Sequence, residues 1–266
     1  MEIIKIRGLN FSYGNRKILK DIDLDISEKK ITGILGPNGC GKTTLLKNIL
    51  GYLKSNNGDI FLQEKNIKEF SQKEKAKFIS FVPQKSQFSA NMTVRDFVLM
   101  GRLPHLNNSW NGYSENDEEI AEKYLAELDL KKFSERKILT LSGGEFQRAV
   151  LARALTQETK IILLDEPTSA LDLNHALDLM EKIKKSVREK GLTAVVVIHD
   201  LNLASIFCDE IIMLKEGKVF SKGIPQEVFT EKNLKEVYNL DCSIITIENN
   251  IPYIVPKIKN GAVANL

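Results

Sequence analysis

Residues 36–44 read Gly Pro Asn Gly Cys Gly Lys Thr Thr, which fits the spacing GxxxxGK[ST], and no other stretch restricts the fold of the chain so tightly. The pattern needs a strand before it and a helix after it. Residues 31–35 form an apolar strand-like run, and beyond the loop Leu45, Leu46, Ile49 and Leu50 recur at helical spacing, with Gly51 placed to end the helix. Gly36, Gly39 and Gly41 allow tight turns with positive φ, so that successive N–H groups converge on a phosphate. The positive end of the following helix adds to that attraction. Lys42 is placed to reach the β and γ phosphates, and the Thr43 hydroxyl to sit on Mg²⁺. Pro37, Asn38, Cys40 and Thr44 complete the expected nucleotide-binding stretch. Cys40, beside Lys42 and a helix N-terminus, is expected to have a lowered pKa and to be open to modification.

The rest of the composition mainly excludes. With 266 residues and 42% hydrophobic content, the chain can hold one large domain with a small appendage. Lys plus Arg is 38 against 35 for Asp plus Glu, so no excess charge points to nucleic acid or an anionic membrane. The longest apolar runs, residues 161–164 and 194–198, fall far short of the ~20 residues of a spanning helix. The opening Met1 Glu2 Ile3 Ile4 Lys5 lacks the basic, apolar and small-residue succession of a signal peptide, and a cytosolic location is expected. The three cysteines, Cys40, Cys208 and Cys242, have neither disulfide-framework nor zinc-ligand spacing.

Alternation over residues 1–26 predicts a half-exposed antiparallel sheet, with Phe11 and Tyr13 in an exposed aromatic turn. Residues 58–63 and 78–82 read as strands around a short polar helix at 71–77; Pro83 ends the second, leaving Gln84 at its carboxyl end. Residues 85–140 turn to helices and loops, with Thr93 and Ser114 as helix starts and a stop at residues 101–105. A third helix opens at Ser142, Gly143, Gly144 and Glu145. The Ser142–Glu145 spacing is a capping box, but two glycines weaken a first turn by roughly 1 kcal/mol each, so their use lies elsewhere. They leave bare N–H groups and the Ser142 hydroxyl open to an anion. The run 161–164 before Asp165 and Glu166, and the run 193–198 before His199, read as buried parallel strands. A hairpin about Glu216 and Gly217 follows, then a small αβ tail whose end, residues 257–266, is expected to fray.

Four strand-like runs therefore end in polar residues: in the glycine loop, Gln84, Asp165 with Glu166, and His199. In open α/β sheets ligands lie at the carboxyl ends of the strands, so parallel neighbours would gather these residues around one γ-phosphate. Asp165 then holds Mg²⁺, Glu166 orients or deprotonates a water, and His199 contacts the phosphate or fixes that water.

With these motifs in this order, the chain resembles the ATP-binding cassette family over about residues 1–230. The resemblance makes Tyr13 the aromatic that stacks on adenine, residues 36–44 the Walker A loop, and Gln84 the Q-loop residue and a further Mg²⁺ ligand. It makes Ser142, Gly143, Gly144 and Glu145 the signature, Asp165 and Glu166 the end of Walker B, Asp172 the D-loop acid, and His199 the switch histidine. It implies an α/β phosphate-loop core with a mainly parallel sheet, an N-terminal antiparallel β subdomain, and a helical subdomain at about 85–155 carrying the signature. A small C-terminal αβ extension at 231–266 completes the expected layout. It further implies ATP and Mg²⁺ as cofactors and a head-to-tail homodimer in which the signature of one copy closes over the loop of the other. Integral membrane permease subunits, and indirectly a substrate-binding protein, are the implied partners, with the chain peripheral on the cytoplasmic membrane face and no nucleic acid bound.

Gly101, Arg102, Leu103, Pro104 and His105, together with residues 168–175, look like the branch that drives import of iron chelates, haem, cobalamin or related metal compounds. The bland alternative is a helix that stops before Pro104 and leaves a surface histidine. Phe146 stands where many relatives have Arg or Gln. Another importer or an exporter remains open at this stage. A soluble cassette protein acting on DNA or ribosomes would carry a long coiled coil or two cassettes, and residues 85–140 lack heptads.

Overall fold

Strict alternation of apolar and polar residues builds the first layer. The computed structural model describes residues 1–84, 91–106 and 112–258. In it β1 (Glu2–Tyr13) and β2 (Arg16–Ser27) pair antiparallel and bury Ile4, Ile6, Leu9, Leu19, Ile22, Leu24 and Ile26. After β3 (Ile31–Leu35) and α1 (Lys42–Ile49), β4 (Asn57–Leu62) and the short β5 (Lys65–Asn66) extend this sheet in the order β2-β1-β4-β5. Phe11 departs from expectation: it is buried in β1 and meets Tyr13 edge-on, with ring centroids 4.8 Å apart. Tyr13 alone is exposed, because the turn between β1 and β2 begins at it.

The second layer is a six-stranded sheet. It adds β6 (Ile79–Val82), reached through α2 (Gln72–Phe78), and after helices α3 (Val94–Leu99), α4 (Glu115–Glu127) and α5 (Gly143–Thr156) it adds β7 (Ile161–Asp165). Then come α6 (Leu173–Lys190), β8 (Thr193–Val197), α7 (Leu201–Phe207), β9 (Glu210–Lys215) and β10 (Lys218–Gly223). The order is β10-β9-β3-β8-β7-β6; only β10 runs antiparallel to its neighbour. Continuous apolar strands suit a sheet covered on both faces. Ile161 and Leu163 of β7 pack with α1 and the first sheet, while Ile162 and Leu164 pack with the helices on the other side.

Four helix starts are built as capping boxes: Ser71 with Glu74, Thr93 with Asp96, Ser114 with Asp117, and Ser142 with Glu145. Such a cap contributes about 1 kcal/mol. The α-helix ends at Leu99, next to the expected stop at residues 101–105, and Met100–His105 then forms a 3₁₀ helix with Pro104 inside it. His105 is no loose surface residue, since its Nε2 lies 2.9 Å from the Gln157 carbonyl oxygen. Arg102 is buried, donating through Nε to Asp117 at 2.8 Å and through Nη1 to the Thr156 carbonyl at 3.0 Å.

At the C-terminal end, α8 (Pro225–Val228) and α9 (Glu231–Tyr238) lead to the hairpin β11 (Cys242–Ile247) and β12 (Ile251–Pro256). Asn202 of α7 clasps the backbone of Ile254 in both directions, and Leu234, Val237, Cys242 and Ile254 share the core of the helical side. Of the expected frayed tail, residues 259–266 lie outside the described residues.

Candidate nucleotide site

The site assembles because β6, β7, β8 and β3 are parallel neighbours, so their carboxyl ends face the same edge. β3 delivers the glycine loop. Gly36 sits at φ 148, and a Cβ on it would fall 2.3 Å from the Leu214 carbonyl oxygen, so no side chain fits there. Gly41 caps α1 at φ 109 without a side chain, which leaves the first-turn N–H groups to an incoming anion. Lys42 is buried at the mouth of the loop, its Nζ donating to the carbonyls of Gly36 at 2.7 Å and Pro37 at 3.1 Å.

β7 delivers the acids. Asp165 is buried and accepts the Thr43 hydroxyl at 3.0 Å; burial, aided by the neighbouring Glu166, pushes its carboxyl above the usual range. Glu166 adopts a left-handed backbone at φ 53, pinned by its N–H to Val197 O at 3.1 Å and by Ser169 N–H to its own carbonyl at 3.2 Å. This turn aims its carboxylate between two neighbouring strand ends. One oxygen accepts from Gln84 Nε2 at 2.5 Å, and the other lies 2.5 Å from His199 Nε2.

A cleft of about 310 Å³ at this edge is lined by Tyr13, Asn38, Gly39, Gly41, Lys42, Thr43, Thr44 and Glu166, with Arg16 and Ile18. Arg16 and Ile18 are additions that sequence reasoning missed; the available signal was the pairing of Arg16 with Tyr13 across the first hairpin. Cys40 is the contrary case. It is buried, and that burial raises its thiol pKa against the pull of Lys42, so the expectation of a lowered, reactive thiol is corrected. The structure brings Gln84, Glu166 and His199 together with the glycine loop and Asp165. It does not bring Ser142, Gly143, Gly144 or Glu145 to that cleft.

The two signature glycines differ. A Cβ on Gly144 would lie 2.9 Å from the His175 ring, whereas one on Gly143 would meet nothing within 4 Å. Packing within the chain thus explains Gly144 and leaves Gly143 bare beside the exposed Ser142. His175 is held by Asp172, whose carboxylate caps α6 and meets His175 Nδ1 at 2.8 Å. Phe146 packs on Phe97, 6.2 Å between centroids, and its place in the signature is one of packing.

A sequence profile of the ABC transporter family matches residues 19–169. The chain belongs to that family. It is 38% identical to the iron(3+)-hydroxamate import ATP-binding protein of Bacillus subtilis, over 92% of this chain and 91% of that protein. An inward-facing metal-chelate type ABC transporter superposes with a TM-score of 0.84 at 28% identity, covering 97% of this chain and 99% of that one. A dimeric ATP-binding cassette holding ADP and Pi superposes at 0.74 with 31% identity, over 84% of this chain and 98% of that one. The ABC subunit is accordingly an ATP-binding ATPase. No helix among its described residues is long and apolar enough to cross a membrane.

Proposed function

We propose that this ABC subunit hydrolyses ATP to energise a membrane importer of a metal chelate, an iron–siderophore complex, haem, cobalamin or a related compound. The observation that carries the chemistry is Glu166 held between Gln84 and His199, beside the Thr43–Asp165 pair. The substrate class is supported by the iron-hydroxamate relative and the metal-chelate transporter that the chain resembles.

Tyr13 stacks on the base, residues 36–44 cradle the phosphates, and Lys42 exchanges its carbonyl partners for phosphate oxygens. The hydroxyl of Thr43, the carboxylate of Asp165 and the amide oxygen of Gln84 form the all-oxygen donor set that suits Mg²⁺. When bound, Mg²⁺ neutralises charge developing on the β and γ phosphate oxygens. Glu166 orients a water and takes its proton, a step worth roughly 10²- to 10⁴-fold in rate. His199 keeps that carboxylate in place and reaches the γ-phosphate or the same water.

The second half of the site comes from another copy, head to tail. Ser142 and the N–H groups of Gly143 and Gly144 close over the γ-phosphate held by the facing chain, with Glu145 fixing the Ser142 turn. Asp172 with His175 supports that edge. Exposed Leu139 and Leu173, flanking the signature and the D-loop acid, give the second copy an apolar surface to cover. A groove of about 600 Å³ between α2, β6 and α5 receives a segment of the permease. The substrate-binding protein acts through that permease, and the subunit sits on the cytoplasmic membrane face. The segment after Gln84, read as the relay to the membrane partner, lies outside the described residues.

Glu166→Gln is expected to bind ATP, to lose turnover, and to sediment as a stable dimer with ATP. Turnover at the parent rate would remove Glu166 from the role of base.

A further inference from the structure

His199 stands at a joint between two elements of different firmness. Before it, β8 is buried inside the six-stranded sheet; after it, Asp200 caps α7, its Oδ1 accepting the N–H groups of Asn202 at 2.8 Å and Leu203 at 3.0 Å. Among the described residues the His199 ring has one polar contact, the Glu166 carboxylate. Its position therefore follows from the backbone on either side. α7 has seven residues, too few to hold a helix by its own hydrogen bonds, so its seat comes from what packs on it.

The C-terminal hairpin supplies part of that seat. β12 pairs with β11 along one edge, and its other edge lies on α7. Asn202 Nδ2 donates to the Ile254 carbonyl at 3.2 Å, and the Ile254 N–H donates to Asn202 Oδ1 at 2.8 Å, the exchange that a neighbouring strand would make. Successive N–H groups of a strand alternate between its two edges, so Pro252 and Pro256 share this edge with Ile254 and bring no N–H to it. Ile254 is thus the single donor there, and Asn202 is the side chain that takes it. One turn further along α7, Ser205 Oγ donates to the Pro252 carbonyl at 2.5 Å.

We propose that the C-terminal hairpin sets the position of His199 through α7, with Asn202 as the positioning residue that joins them. The proposal rests on the roles given above to His199 and Glu166, and it gives the C-terminal extension a part in turnover. Asn202 lies three residues after His199, so a shift of α7 on the hairpin moves the histidine against the Glu166 carboxylate. A small misplacement of a group that holds the base costs rate without touching the nucleotide's own contacts.

The test reads His199 directly. The chain has three histidines, His105, His175 and His199, so the full chain isotope-labelled in its histidine rings gives three ring signals by NMR, and His199→Ala identifies the one that matters. We expect Asn202→Ala to move or broaden that signal and to leave the other two in place. The kcat should fall about 10-fold with the KM for ATP within about twofold, because the residues that hold the nucleotide are untouched. In a His199→Ala background Asn202→Ala should lower kcat no further, since a residue that acts through another then has nothing left to act on. An unmoved His199 signal overturns the proposal, and so does a loss of kcat that recurs in full in the His199→Ala background. Turnover of His199→Ala at the parent rate would instead overturn the role given to His199, while the ring signal would still report whether the hairpin places it. Ser205→Ala removes only the bond to Pro252 and should move the same signal less, which keeps the test decisive if Asn202→Ala folds poorly.

Discussion

Asp117 and Asp165 are both buried carboxylates, and their surroundings act on them in opposite directions. Asp117, in the first turn of α4, would be raised by its burial. The Arg102 guanidinium at 2.8 Å and the Ser114 hydroxyl and N–H at 2.7 and 3.0 Å outweigh this and bring it down to about 2. Asp165, at the end of β7, has only the Thr43 hydroxyl at 3.0 Å, and burial with the adjacent Glu166 drives its carboxyl up. On the helical side Asp117 finds its counter-charge within the chain. At the strand ends the Thr43 hydroxyl, Lys47 and Lys42 compensate Asp165 less than its burial costs it, as suits a group meant to meet a cation.

The largest expected effect breaks the completed pair. Arg102→Ala strands Asp117 in the core and should cost about 3–5 kcal/mol of unfolding free energy, read by urea titration. ATPase activity per folded molecule should hold. An unchanged urea midpoint would mean that the buried ion pair is not what secures α4 to α5.

Asp165→Asn should do the reverse. It is expected to lower kcat by about 10²- to 10³-fold, the scale of one lost electrostatic contact at a reacting phosphate. The melting temperature measured without nucleotide should stay level or rise, because the substitution removes a charge that the fold disfavours. If Asp165→Asn instead melted lower, Asp165 would be structural and the contrast with Asp117 would disappear.

Acid sharpens the same contrast. Asp117 has its folded pKa depressed from 3.8 to about 2. Its contribution is therefore fully present above about pH 4 and is lost as the pH falls towards 2, a change of roughly 2–3 kcal/mol. Asp165, raised in the fold, takes its proton before an unfolded aspartate does, so acidification relieves rather than adds strain at the strand end. Asp117→Asn should flatten the acid limb of stability, and Asp165→Asn should not.

Much of this was legible because it is local. The glycine loop between a buried strand and an amphipathic helix, the helix starts at Thr93, Ser114 and Ser142, and the acids after apolar runs are each fixed by residues close in sequence, and all form as read. What sequence reasoning missed depends on distant neighbours. Cys40 was read from Lys42 and the helix start, whereas burial of its thiol within the fold decides its pKa. His105 looked loose because Gln157, 52 residues on, supplies its partner. Arg16 and Ile18 reach the cleft only because the first hairpin folds over the loop, and the steric use of Gly144 appears only once α6 sets His175 against it.

The smallest expected effect concerns a third buried polar group. Tyr238 of α9 buries its hydroxyl behind the glycine loop, beside the Gly36 backbone and Cys40, without a hydrogen bond of ordinary length and angle. Burial, with Cys40 adding to it, raises its pKa. Like Asp165 it is a buried group whose ionised form the fold disfavours, but it lies behind the loop rather than facing the cleft, and it does not line the nucleotide pocket. A buried hydroxyl without a partner carries its desolvation cost uncompensated, so Tyr238→Phe should stabilise the fold by about 0–1 kcal/mol. ATP affinity, measured by calorimetry, should not move. A weaker ATP affinity without loss of stability would instead place Tyr238 with Asp165, as a group whose cost the fold bears for the sake of the loop, and would tie the C-terminal helix to nucleotide binding.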